Sequence, residues 1–102
     1  MADDVKALVE SILSNNKVVV FSKSYCPHCD KTKSLLDSLN AKYHVLELDQ
    51  RGDGKNIQQY LLELTGQATV PNIFISRQHI GGNSDLEALQ NSGKLEERLR
   101  NE

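Results

Sequence analysis

Val18-Val19-Val20-Phe21-Ser22-Lys23-Ser24-Tyr25-Cys26-Pro27-His28-Cys29 is the stretch from which the rest of the chain can be ordered. Its first four residues are apolar and mostly β-branched, the pattern of a short strand buried on both faces. Ser22 to Tyr25 reads as a connection, and Pro27 then sits where the first turn of a helix tolerates proline best. Thr32, Leu35, Leu36 and Leu39 give that helix its inward stripe, and Asn40 can end it. Downstream, Tyr43 to Leu48 reads as a second strand, followed by the turn-rich Asp49-Gln50-Arg51-Gly52-Asp53-Gly54. A third helix places Ile57, Tyr60, Leu61 and Leu64 on one face, with Gly66 just past its end. Ile73 to Ile75 and about His79 to Ile80 are two short strands close enough to pair as a hairpin. Ser84-Asp85-Leu86-Glu87 fits a capping box and predicts a helix start. Gly93 interrupts that helix, and Leu95 and Leu99 mark a last short one. Upstream, Val5, Leu8, Val9, Ile12 and Leu13 form a helical stripe after Asp3-Asp4, with Asn15-Asn16 as its stop. The order is αβαβαββαα, an α/β class with a parallel strand pair connected right-handedly and a terminal hairpin.

Composition narrows the function classes. Leu, Ile, Val and Phe make up 28 of 102 residues, enough for a modest core in one domain over residues 1–102. No Gly/Ser/Pro-rich linker, repeat or low-complexity stretch divides the chain. The formal charge is −2 and no block of five like charges occurs, which argues against nucleic acid as a partner. The longest wholly apolar run, Val18 to Phe21, is far short of the ~20 residues that span a bilayer, so no membrane partner is expected. The opening MADDVKALVE carries two acids where a secretion signal has a basic region and then an apolar stretch. A cytoplasmic monomer is the resulting expectation.

Both cysteines of the chain lie in Cys26-Pro27-His28-Cys29. Unpaired N–H groups and the macrodipole at a helix start favour an anion at Cys26, and Lys23 adds a positive charge three residues upstream. Cys29, one turn into the helix, should be more buried and less ionised. It is placed to attack a mixed disulfide formed on Cys26 and close an intramolecular bond. Pro27 removes an N–H, stiffens the turn and thereby biases dithiol against disulfide. A structural disulfide would suit a secreted chain, which the opening residues do not suggest. Zinc would need four ligands, and His28, His44 and His79 are poorly placed to complete the set, so no metal is expected.

Four further marks stand in order: Ser24-Tyr25 before the cysteine motif, then Thr65-Gly66, Thr69-Val70-Pro71, and Gly81-Gly82-Asn83-Ser84-Asp85. With these the chain, from Lys17 to Leu99, resembles a glutaredoxin of the dithiol type. The resemblance implies a thioredoxin fold with a central four-stranded mixed sheet flanked by helices. It also implies a glutathione-dependent thiol–disulfide oxidoreductase, with glutathione as reducing co-substrate and glutathionylated or disulfide-containing proteins as partners. Cys26 is then the nucleophile and Cys29 the resolving thiol. The implied glutathione groove runs along Lys23, Pro27, His28, Gln58, Thr69, Val70, Pro71, Ser84 and Asp85. Lys23 would meet the glycine carboxylate, with Gln58 as its polar partner. Pro71 would be cis, leaving the Val70 backbone free to pair with the cysteine part of glutathione as an added strand. The helix start at Ser84 would hold the γ-glutamyl carboxylate, and Asp85 the α-amine.

This sequence departs from the family pattern at two positions. His28 stands where the family most often has tyrosine, and Ala68 where it often has a basic residue. His44 and His79 show no partner in the sequence and read as surface or edge-strand residues. Two other readings of the cysteine motif stay open at this level. One is a carrier in which Cys26 of two chains and two glutathiones hold a [2Fe–2S] cluster; the other is a redox-inactive binding module.

Overall fold

A computed structural model describes residues 2–100, with side chains from Asp4 onward. The elements are α1 (Ala2–Asn15), β1 (Val18–Ser22), α2 (Pro27–Ser38), β2 (His44–Glu47), a 3-10 turn (Leu48–Gln50), α3 (Gly54–Thr65), β3 (Asn72–Ile75), β4 (Gln78–Gly81), α4 (Asn83–Asn91) and α5 (Leu95–Arg100). The order αβαβαββαα is the one the sequence implies. The four strands form one sheet in the order β2-β1-β3-β4. β1 pairs parallel with β2 and antiparallel with β3, and β3 pairs antiparallel with β4. No helix among the described residues is long and apolar enough to cross a membrane.

β1 is buried along its whole length because successive side chains point to opposite faces and both faces are covered. Val19 and Phe21 join Val5, Val9 and Leu13 of α1 and Ile57 and Leu61 of α3. Val18 and Val20 join Leu36 of α2, Leu86 of α4 and Leu95 of α5. The result is two cores separated by a sheet. Each fully buried valine or phenylalanine contributes about 1.5–3 kcal/mol. Phe21 and Phe74 reinforce the α1/α3 side with an edge-to-face contact, ring centroids 5.8 Å apart and planes at 81°.

Several boundaries differ from the sequence reading, each for a local reason. Ser22 belongs to β1, since its register partner Glu47 extends the parallel ladder. β2 is shorter than Tyr43 to Leu48, because Leu48 turns into the 3-10 segment that leads to α3. Gly54 opens α3 instead of closing the turn before it. A Cβ there would lie 1.8 Å from the Leu48 carbonyl oxygen, so this approach requires glycine. Leu64 does not join the inward face of α3 and is 47% exposed. The capping box is also displaced. α4 begins at Asn83, one residue before the predicted Ser84, with Gly82 at the N-cap. Asp85, not Glu87, reaches back to accept from the Gly82 N–H at 2.9 Å. Asn40, as expected, follows the end of α2, in a left-handed conformation with φ 57°.

The β3–β4 hairpin closes through Ser76 and Arg77, both with positive φ, at 50° and 68°. Two consecutive positive φ values are the signature of a primed hairpin turn, which favours Asn-Gly over Ser-Arg. The double substitution Ser76→Asn/Arg77→Gly should therefore raise unfolding free energy by about 0.5–1 kcal/mol. Thermal denaturation would show this as a rise in Tm of about 2–8 °C.

Candidate active site

The cysteine pair occupies the point where β1 hands the chain to α2. The Cys26 N–H donates to the Lys23 carbonyl at 3.1 Å, which curls the connection back on itself. Cys26 then takes the N-cap position with an extended backbone. Its sulfur performs the work usually done by a serine or aspartate oxygen, accepting the Cys29 backbone N–H at 3.1 Å. One of the orphan donors of the helix start is thus aimed at the sulfur. Cys26 is 9% exposed and Cys29 not at all, so the first cysteine presents a small window to solvent rather than an open face. Both are free thiols.

Cys29 is held in its neutral form. Burial pushes its thiol from an ordinary 9.0 up to about 11, and a hydrogen bond to Cys26 adds to this, while hydrogen bonds from the Ser22 side chain and Lys23 backbone partly oppose it. The two sulfurs therefore differ in exposure and surroundings within the same turn of helix.

Around them the structure brings together most of the residues named from the sequence. The Val70–Pro71 bond is cis, as the resemblance implies. The Cys26 thiol points at the Val70 carbonyl, 3.8 Å away. Gln67 pins this loop by donating from Nε2 to the Thr69 and Pro71 carbonyls at 3.1 and 3.0 Å. Gly82 at the start of α4 lies next to the Pro71 carbonyl, so Ser84 and Asp85 border the same loop. Gly81 has φ 121°, and a Cβ on it would sit 2.3 Å from Asp85 Oδ2, so the approach of that carboxylate depends on glycine. Pro27, His28, Thr69, Ser84 and Asp85 are exposed, while Lys23, Gln58 and Val70 are half-buried and Pro71 is buried. The His28 side chain makes no hydrogen bond among the described residues.

Gln58, expected as a partner for a ligand carboxylate, already has one partner within the protein. Its side-chain amide donates to the Ala68 carbonyl, so its hydrogen-bonding capacity is partly spent within the protein. His79 lies exposed on edge strand β4, as its pattern implies, and there its Nε2 is 2.9 Å from Asn72 Oδ1 and its ring packs on Phe74. Burial lowers its pKa below the ordinary value.

Three supports of the site were not visible in the sequence. Asp49 clamps the loop before Cys26, accepting from the Ser24 N–H at 2.9 Å and from the Ser24 hydroxyl. Those bonds, with the nearby Lys23, hold the Asp49 carboxyl below its ordinary range. Thr32 falls in the inward stripe of α2 by its spacing. It is buried, but its hydroxyl donates to Asn83 Oδ1 at 2.8 Å and ties α2 to α4. Asn83 in turn donates to Glu87 at 3.1 Å. The pairs lie 25 and 51 residues apart, so local spacing carries no trace of them.

A helix start that caps itself with one thiol and buries another, on a sheet ordered β2-β1-β3-β4, defines a thioredoxin-fold thiol–disulfide oxidoreductase. The glutaredoxin family model matches residues 18–80. A glutaredoxin of Ricinus communis is 54% identical over 86 residues, covering 84% of this chain and 84% of its own. Glutaredoxin-2 of Schizosaccharomyces pombe is 52% identical over 95 residues, covering 93% of this chain and 86% of its own. Buckwheat glutaredoxin, solved as a complex with glutathione, superposes with a TM-score of 0.94 at 43% identity, over 96% of this chain and 89% of that one. The chain belongs to the glutaredoxin family and is a glutaredoxin-type oxidoreductase.

Two outcomes follow from this geometry. Thr32→Val leaves the buried Asn83 oxygen without its donor and should cost about 1–3 kcal/mol in urea unfolding. Cys29 contributes stability below its unfolded value of 9.0, which is lost as pH rises toward about 11, because the unfolded thiol ionises first. Between those limits the unmodified chain should lose on the order of 2 kcal/mol more than Cys29→Ala in denaturation curves taken across the range.

Proposed function

We propose that this chain is a glutathione-dependent oxidoreductase that reduces protein–glutathione mixed disulfides and protein disulfides, with Cys26 as nucleophile and Cys29 as resolving thiol. The observation that carries this reading is the 3.1 Å hydrogen bond from the Cys29 N–H to Cys26 Sγ, beside a Cys29 thiol that is fully buried. A backbone donor stabilises negative charge on Cys26 without supplying a proton to it. The same helix turn keeps Cys29 protonated and out of the first step.

In that step the Cys26 thiolate attacks the glutathione sulfur of a mixed disulfide. The new bond joins Cys26 to glutathione, and the electron pair of the broken bond leaves with the protein thiolate. A second glutathione thiolate then attacks the glutathione sulfur on Cys26, forming glutathione disulfide and restoring the Cys26 thiolate. With a protein disulfide, Cys26 attacks first and Cys29 displaces the protein thiolate by closing the Cys26–Cys29 bond.

Selectivity for the glutathione sulfur rests on orientation. The buckwheat relative binds glutathione, and this chain offers matching chemistry along the same edge. Lys23 supplies a cation for the glycine carboxylate. The Val70 backbone can pair with the cysteine part as an added strand. The first turn of α4 supplies N–H groups for the γ-glutamyl carboxylate, with Asp85 for the amine. Thr69, Pro71, Pro27 and His28 form the walls, and Gln58 shapes the groove by fixing the Ala68 carbonyl. Ala68 itself brings no charge.

The test is steady-state turnover of a glutathionylated peptide with glutathione and its reductase. Cys26→Ser should lose at least about 10³-fold, whereas Cys29→Ser should stay within about threefold of the unmodified chain. Activity retained by Cys26→Ser would overturn the assignment.

A further inference from the structure

Two phenylalanines and three tyrosines are the aromatic side chains of this chain. Phe21 and Phe74 meet edge-to-face in the core. The Tyr43 hydroxyl donates to Asp37 at 2.8 Å, and the Tyr60 hydroxyl to Glu10 at 3.2 Å. Tyr25 is the exception. It is 70% exposed, and its hydroxyl makes no hydrogen bond among the described residues. It is also the residue before Cys26, with its Cα about 3.8 Å from that of the nucleophile across a trans peptide. A lone exposed ring on a loose loop would call for no explanation. Here the backbone that carries it is fixed. The Cys26 N–H donates to the Lys23 carbonyl at 3.1 Å and closes a turn around Ser24 and Tyr25. Asp49 holds Ser24 through both its N–H and its hydroxyl. The ring is left to move about its own two side-chain torsions, so a partner that covers it has little else to order.

The thiol beside this ring has a narrow approach. Cys26 is 9% exposed, while Tyr25, Pro27, His28 and Thr69 are all exposed. A sulfur that reaches Cys26 brings the residues on either side of its own cysteine against this rim. The route through glutathione uses Lys23, the Val70 backbone and α4, and gives Tyr25 no part. A protein disulfide makes a different demand, because there Cys26 bonds to the polypeptide itself. We propose that the Tyr25 ring is the docking platform for protein disulfides, taking an apolar side chain next to the cysteine that Cys26 attacks. This rests on the dithiol reading above and names the protein substrates within it. In the step concerned, the Cys26 thiolate attacks one sulfur of the substrate disulfide. The Cys26–sulfur bond forms as the substrate S–S bond breaks, and the electron pair leaves with the second substrate sulfur, which takes its proton from water. Tyr25 exchanges neither proton nor electron; it holds the substrate residue beside the forming bond. The match is apolar because the exposed area of the ring is chiefly carbon, and covering it with carbon releases water from both surfaces. Rigidly mounted aromatic rings of this kind anchor protein interfaces.

The test uses Cys29→Ser, which traps the mixed disulfide on Cys26, and two disulfide-bonded peptides that differ only in the residues flanking their cysteines, leucine in one and serine in the other. Rapid mixing with mass spectrometry gives the rate of adduct formation, scaled to the rate of each peptide with dithiothreitol. The leucine peptide should react about tenfold faster than the serine peptide. Adding Tyr25→Ala should reduce that preference to less than about twofold, by slowing the leucine peptide, whereas Tyr25→Phe should keep it. In Tyr25→Ala the rates with glutathione disulfide and with iodoacetamide should change less than about twofold, since neither presents a flanking polypeptide. No preference in the Tyr25 chain, or a preference that survives Tyr25→Ala, would overturn the proposal. A preference for lysine or arginine flanks in a third peptide would overturn its apolar class. Equal slowing with glutathione disulfide would also overturn it, making the ring part of the glutathione groove, and slowing with iodoacetamide would make it a modifier of the thiol. Failure of the Tyr25 chain to form any adduct on Cys26 would instead overturn the dithiol reading, and this proposal with it.

Discussion

The Cys29 N–H that points at Cys26 Sγ binds the chemistry of the chain to its secondary structure. A helix start must satisfy its first N–H groups, and here a sulfur does so. The geometry that makes α2 begin where it does is the same geometry that aims a backbone donor at one cysteine sulfur. Moving the helix start by a residue would turn the sulfur away from the donor and bring Cys29 out of the core. Pro27 holds this register because it needs no hydrogen-bond partner at the first helical position.

What keeps that helix start in place is distributed over the fold. β1 fixes its position from below, buried on both sides. Asp49 grips the approaching loop through Ser24, and Asn83 grips α2 through Thr32. Gln67 fixes the loop that carries Val70 and Pro71. Each of these anchors comes from a different part of the chain, and all of them are hydrogen bonds to backbone or short side chains. The thiols therefore sit on a frame defined by short polar contacts at its rim and by apolar packing at its centre.

The element order and the burial of β1 on both faces were legible because β1 is uniformly apolar and the helical stripes repeat cleanly. The cysteine motif was legible because both members lie within one turn of a helix. The Asp49–Ser24 and Thr32–Asn83 contacts were not, since those partners meet only by tertiary approach. The displaced capping box shows the same limit on a smaller scale. Ser84 and Glu87 satisfy the pattern as well as Gly82 and Asp85 satisfy the geometry, and the close approach of Gly81 to the Asp85 carboxylate decides between them. Leu64 fits the helical period but falls on the rim of α3, where the neighbouring helix no longer covers it. Gln58 fits a ligand-facing position, yet the Ala68 carbonyl takes its amide.

The outer strands of the sheet have a bearing on how such a chain avoids its own kind. β2 and β4 are only four residues each, and His44, Gln78 and His79 are exposed along them. Short, polar rims offer few consecutive backbone groups to a second sheet and place hydrophilic side chains beside them. The most adhesive segment of the sequence, Val18 to Phe21, is confined to the interior of the sheet with a strand on either side. Edge-to-edge growth is thereby discouraged by the order in which the strands are laid down.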